Sequence, residues 1–102
     1  MPLTVEHKPL EHRFDAMDGL TRAGFVEYIR TDAGLIVYTH TEVSEQYEGK
    51  GVGSELARYV LDYARSERLA VLPICPFIAS WIGRHPEYQD LLYRAKPSKV
   101  ND

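Results

Sequence analysis

The sequence predicts an α/β (α+β) fold with a mixed sheet: an antiparallel three-strand meander, then a βαβ crossover, then C-terminal helices. Three observations carry this. Between residues 12 and 43, apolar and polar residues alternate with the period of strands. Turn signals at Asp18-Gly19 and Asp32-Ala33-Gly34 divide that stretch into three. Gly49, Gly51 and Gly53 then open a segment whose apolar residues recur every four positions.

HRFDAM (12–17) reads as a short first strand. In TRAGFVEYIRT (21–31), Phe25, Glu27 and Ile29 alternate against Val26, Tyr28 and Arg30, which predicts the second. LIVYTHTEV (35–43) is rich in β-branched residues and predicts the third. Val52, Leu56, Val60 and Ala64 form the apolar stripe of a helix that runs to about residue 67. Glu55, Arg58, Asp62 and Arg65 lie off that stripe at spacings where opposite charges help modestly. LAVLPIC (69–75) reads as a short buried strand. It should lie parallel to 35–43 through a right-handed crossover. PFIASWIGRH (76–85) predicts a second helix, with Pro76 in its first turn and Ile78, Trp81 and Ile82 facing the sheet. Pro86 ends it, and EYQDLLY (87–93) adds a last helical turn or two. The polar tail AKPSKVND (95–102) is expected to fray.

A length of 102 residues suits one domain, 1–102, with one core. Hydrophobic residues at 44% and charged residues at 26% place it among soluble globular chains. A net charge of -3 argues against a nucleic-acid partner, which needs clustered Lys and Arg. No apolar run is long enough to span a bilayer, so no membrane partner is expected. MPLTVEHKPLEHR lacks the apolar core of a signal peptide, and the expected location is cytoplasmic. A single cysteine, Cys75, permits neither an internal disulfide nor a paired-cysteine metal site. The four histidines (His7, His12, His40, His85) show no HExxH spacing, so no metal site is expected.

The glycine cluster, EGKGVGSEL (48–56), points to an anion. A helix N-terminus offers unpaired N–H groups and a partial positive charge. Glycines let that backbone approach a ligand, and phosphate is the expected guest. The spacing is not that of a Walker A loop, because neither Ser nor Thr follows Lys50. It is not a dinucleotide fingerprint either, because no third glycine falls in register after Gly51 and Gly53. The alternative is a glycine turn without a ligand.

At these residues the sequence resembles the GNAT superfamily, the acetyl-CoA-dependent N-acetyltransferases. Gly51 and Gly53 match the defining glycine pair of that superfamily at its strand-to-helix junction. The element order matches a GNAT core trimmed at both ends. HTEV (40–43), CPF (75–77) and HPEY (85–88) resemble its short, YjdJ-type branch, so the likeness covers nearly the whole chain. The resemblance implies acetyl-CoA as cofactor, with the backbones of Gly49, Lys50, Gly51, Val52, Gly53 and Ser54 holding its pyrophosphate. It implies that the strand parts from its neighbour at Glu42 and Val43. Pantetheine would lie in that gap, with the Val43 amide as oxyanion donor. Glu48 departs from the pattern, standing where Arg or Gln is usual. It is expected to turn to solvent or pair with a basic residue.

Acetyl transfer needs a base for the acceptor amine, an oxyanion donor and an acid for the leaving thiol. His40 and Glu42 stand two apart on a strand, so they share a face just before the loop. Imidazole suits base work near neutral pH, and Glu42 can act directly or through water. Alternatively, His40 is a half-buried strand residue and Glu42 pairs with an Arg. Cys75 directly precedes the second helix, where the helix dipole favours a thiolate. It is a candidate acetyl acceptor in a covalent intermediate, with direct transfer or a plain buried cysteine as alternatives. The resemblance makes Tyr88 a candidate acid. Otherwise Tyr88 packs its ring and His85 caps a helix turn. Trp81 reads as core.

The function that emerges is acetyl-CoA-dependent N-acetyl transfer to a small amine or an exposed protein lysine. Two other readings are a non-catalytic acyl-CoA-binding module and an interaction domain that keeps only the fold. Almost nothing precedes the first predicted strand, so the acceptor side is expected to be open. An open side suits a large substrate, or a partner subunit as in a homodimer.

Overall fold

The computed structural model describes residues 2–94, and the polar tail 95–102 lies outside them. Five strands follow one another across a single sheet in chain order: β1 (Thr4–Lys8), β2 (Arg13–Asp18), β3 (Thr21–Arg30), β4 (Leu35–Val43) and β5 (Ala70–Pro73). The first four pair antiparallel, and β4 and β5 run parallel. Helix α1 (Val52–Ser66) makes the crossover between them, and α2 (Pro76–Gly83) follows β5. A 3₁₀ turn, Pro86–Leu91, stands where a last helical turn was expected. After it, the Tyr93 amide donates to Val71 O at 2.7 Å along the outer edge of β5.

The meander has four strands rather than three. β1 precedes the expected first strand, so the expectation of almost nothing there is wrong. Its sequence, TVEHK, holds one aliphatic residue, Val5, and gives little alternating signal. His7 completes its inner face, stacking on Phe14 with ring centroids 4.2 Å apart. β2 starts at Arg13, because His12 adopts a left-handed φ of 55° at the end of the 3₁₀ turn Pro9–Glu11. β5 and α2 are each shorter than expected, at four and eight residues.

Both helices pack on one face of the sheet. Val52, Leu56, Ala57, Val60, Leu61 and Ala64 bury the predicted stripe of α1 against Phe14, Ile36 and Tyr38. The Tyr38 hydroxyl donates to Val60 O, which satisfies a polar group inside this core. α2 lies beside α1: Trp81 Nε1 donates to Ser54 Oγ at 3.4 Å, and the Arg58 guanidinium sits over the indole.

One irregularity positions the site. Tyr28 pairs with Tyr38, but Glu27 pairs with His40, so Thr39 is an extra residue in β4. A bulge of this kind reverses the alternation of side chains beyond it. Ile36 and Tyr38 point toward α1. Past the bulge, Thr41 and Val43 do so, and His40 and Glu42 point to the opposite face, where the His40 ring lies 6.0 Å from that of Phe25.

Candidate active site

β4 and β5 stay paired only as far as Tyr38 and Pro73, and the Cys75 amide adds a last bond to Tyr38 O at 3.0 Å. β4 runs on to Val43 without β5, still paired with β3. The gap therefore opens after Tyr38, several residues before the Glu42–Val43 position implied by the resemblance. The Ser44 amide donates to Ala23 O on β3 at 2.9 Å. Successive strand residues turn their N–H groups to opposite sides, so the Val43 amide points into the gap.

Beyond Val43, a 3₁₀ turn (Glu45–Tyr47) leads into the glycine loop. Gly49 and Gly51 hold φ values of 75° and 82°, a region that strains any side-chain-bearing residue. Gly51 is the N-cap of α1 and offers no side chain to the first-turn amides. The N–H groups of Val52, Gly53 and Ser54 therefore remain available to an outside acceptor. They border a cavity of about 270 Å³ lined by Val43, Tyr47, Glu48, Gly49, Gly51, Val52, Gly53, Ser54 and Phe77. Six of the seven residues expected to bind the cofactor are in that lining. Lys50 is not and stands exposed beside it.

Three lining residues were absent from the expected set. Tyr47 donates its hydroxyl to Asp18 Oδ2 at 2.7 Å, a bond that raises the phenol's pKa. Phe77 closes the opposite wall from the first turn of α2. A Cβ on Gly53 would come within 2.7 Å of its ring, so this glycine makes room for an aromatic wall. The CPF segment was the available signal for Phe77. Glu48 is exposed, with no Lys or Arg within 4 Å among the described residues. It thus meets the solvent half of its expectation.

Cys75 is buried, N-caps α2 and donates its thiol to Thr41 Oγ1 at 3.2 Å. That places Sγ where the two strands part, on the same stretch of β4 as Val43. His40 and Glu42 share a face, as their spacing predicts, and His40 Nε2 lies 3.2 Å from Glu42 Oε1. Both are exposed on the sheet face opposite α1, outside the cavity lining. Tyr88 is not brought to the gap. Its hydroxyl donates to Asp62 Oδ1 at 2.8 Å, ten residues into α1 and so about 15 Å along the axis from Val52. Burial first, then the bond to Asp62, raises its pKa. His85 caps α2 through Nδ1, which donates to Trp81 O at 2.7 Å, and its ring stacks on the buried indole.

Comparison with known proteins agrees with this geometry. Residues 13–91 match the profile of the GCN5-related N-acetyltransferases. The chain is 27% identical to Protein NATD1 of Mus musculus over 86 residues, covering 83% of this chain and 78% of that one. The match to Protein NATD1 of Homo sapiens has the same identity and covers 76% of that protein. A GCN5-like protein from Staphylococcus aureus, solved by NMR, superposes with a TM-score of 0.71 at 25% identity, over 98% of this chain and 97% of its own. An IAA acetyltransferase from Bacillus cereus shares the fold at a TM-score of 0.52 and 22% identity, over 58% of this chain and 40% of its own. With the profile spanning most of the sequence, the chain belongs to the GCN5-related N-acetyltransferase family, whose members transfer acetyl groups from acetyl-CoA.

Proposed function

We propose that the protein transfers the acetyl group of acetyl-CoA to an amine. The observation that carries this reading is the continuity of loop cavity and gap. Val43 borders the cavity and also turns its amide into the space where β4 and β5 part. A pyrophosphate on the amides of Val52, Gly53 and Ser54 would leave the pantetheine arm running between Val43 and Phe77 toward Cys75. The Val43 amide is then the oxyanion donor.

In direct transfer, the amine nitrogen attacks the thioester carbonyl, the carbon–sulfur bond breaks and CoA leaves as thiolate. The amine's proton passes to Glu42 or His40, which flank the gap on the bare face. Cys75 supports a second route. Its sulfur attacks the carbonyl while the thiol proton passes to the departing CoA sulfur; the amine then attacks the acetyl-cysteine, its proton returns to Sγ, and the free thiol is restored. The Thr41 hydroxyl holds Sγ in place by accepting its hydrogen bond, and this position favours neither route over the other. Tyr88 would take no part in either, because its hydroxyl is engaged by Asp62 deep along α1.

The test is thiol release from acetyl-CoA with a panel of amines, read beside intact mass after acetyl-CoA alone. Amine-dependent release supports transfer. An acetyl adduct that Cys75→Ser abolishes supports the covalent route, and release without an adduct supports the direct one. Acetyl-CoA binding without release for any amine would reduce the protein to a binding module.

A further inference from the structure

We propose that Thr41 sets the length of the acyl group: together with Cys75 it closes the inner end of the gap, which then admits a two-carbon acyl group and not a four-carbon one. This rests on the acetyl-transfer reading above. The loop cavity is bounded by Val43 on β4 and by Phe77 on α2. Thr41 and Cys75 stand two residues before them in the chain and lie outside that lining. There the two sides meet, with the Cys75 thiol 3.2 Å from Thr41 Oγ1. The space thus narrows from a cavity of about 270 Å³ to a side-chain contact within two residues on either side.

The fold holds both partners in this contact. The extra residue Thr39 turns the Thr41 side chain toward the helices; without it Thr41 would face the bare side of the sheet. The Cys75 amide donates to Tyr38 O at 3.0 Å, and Cys75 N-caps α2. Cys75 is 3% exposed, and Tyr38 and Ile78, joined to it by that bond and by one helical turn, are fully buried. Packed surroundings of this kind accept an extra methylene only at a cost. Thr41 and Val43 are two strand residues apart, about 6.6 Å. An acyl chain whose carbonyl meets the Val43 amide has that length, less a van der Waals contact of about 3.5–4 Å, before it reaches Thr41. An acetyl methyl fits in the remainder. The two further carbons of a butyryl group do not.

The experiment compares acetyl-CoA with butyryl-CoA on the full chain, by calorimetric affinity and by amine-dependent thiol release. Wild type is set beside Thr41→Ala, Thr41→Ser and Thr41→Val. A single methylene in a shaped pocket changes kcat/KM about 10–200-fold. Wild type should therefore favour acetyl-CoA at least about tenfold in kcat/KM, and about threefold in affinity. Thr41→Ala opens the end of the gap and should narrow the kcat/KM preference about tenfold. Thr41→Val keeps the shape, loses the hydrogen-bond acceptor and should keep the preference. Thr41→Ser keeps the acceptor, loses a methyl and should narrow the preference about threefold, which serves if Thr41→Ala fails to fold. A role confined to stability would lower turnover of both donors alike and leave their ratio unchanged. Equal handling of the two donors by wild type, or a preference that neither Thr41→Ala nor Thr41→Ser narrows, would overturn the proposal and leave acetyl transfer standing. So would loss of the preference in Thr41→Val, because the hydrogen bond and not the bulk would then govern it. Binding without thiol release from either donor would overturn the transfer reading, and the affinity ratio would still decide the role of Thr41. Binding of neither donor would overturn both.

Discussion

The Tyr47 hydroxyl donates to Asp18 Oδ2 at 2.7 Å and ties the glycine loop to the turn between β2 and β3. The loop contains three glycines in five residues and needs such an anchor to hold its amides in one arrangement. Hydrogen bonds to charged groups contribute about 1.5–3 kcal/mol. Tyr47→Phe should weaken acetyl-CoA binding about three- to tenfold with little change in kcat. Asp18→Asn, which keeps an acceptor, should lose less. Calorimetric titration checks both, and an equal loss of KM and kcat would assign Tyr47 a different role.

Two glycines are small for different reasons. A Cβ on Gly24 would lie 2.6 Å from Glu42 O, 3.2 Å from Val52 Cγ1 and 3.3 Å from Leu56 Cδ1. Backbone and packed core cannot yield there, so Gly24→Ala should cost about 1–3 kcal/mol of stability. On Gly53 the Cβ meets only the half-buried Phe77 ring. Gly53→Ala should lower acetyl-CoA affinity about tenfold and move the urea midpoint much less. Denaturation and binding measured on both variants separate the two effects.

Glu48 lines the cavity and stands exposed, with no Lys or Arg within 4 Å among the described residues. Its carboxylate opposes an incoming pyrophosphate across solvent, where such repulsion is weak and screened. Glu48→Arg should tighten acetyl-CoA binding about three- to fivefold at low salt, less at high salt, with the fold unchanged. Weaker binding would show that the carboxylate has a positive function in the loop.

Burial chiefly, with the positive charge of Arg30, lowers the pKa of His7 below 6.5. In the unfolded chain this imidazole takes up a proton as pH falls through 6.5, while the folded chain does not. Stability should therefore fall as pH drops below 6.5 and level off once His7 titrates in the folded state. His7→Phe should reduce that slope, although it breaks the 2.6 Å bond to Tyr28. Urea midpoints measured between pH 8 and pH 5 on both proteins give the comparison. An unchanged slope would mean that His7 is not the group responsible.

The sequence was legible where local chemistry alone decides. The glycines announced the loop, the four-residue recurrence from Val52 to Ala64 announced α1, and the crossover made β4 and β5 parallel. Three features depended on partners distant in the chain. β1 shows little apolar signal because its inner face is completed by His7 on Phe14. The bulge at Thr39 has no mark in LIVYTHTEV, yet it decides that His40 and Glu42 face away from α1. The same holds for Tyr88, whose hydroxyl is claimed by Asp62, 26 residues away in sequence. Two-residue spacing could establish that His40 and Glu42 lie side by side, but not which face they share.

The central claim is that the loop at the start of α1 receives acetyl-CoA. Calorimetric titration of acetyl-CoA into wild type, Gly53→Ala and Tyr88→Phe tests it most directly. The account predicts one site per chain, about tenfold weaker in Gly53→Ala and unchanged in Tyr88→Phe. No heat or thermal shift with wild type, or an affinity indifferent to Gly53→Ala, would contradict it.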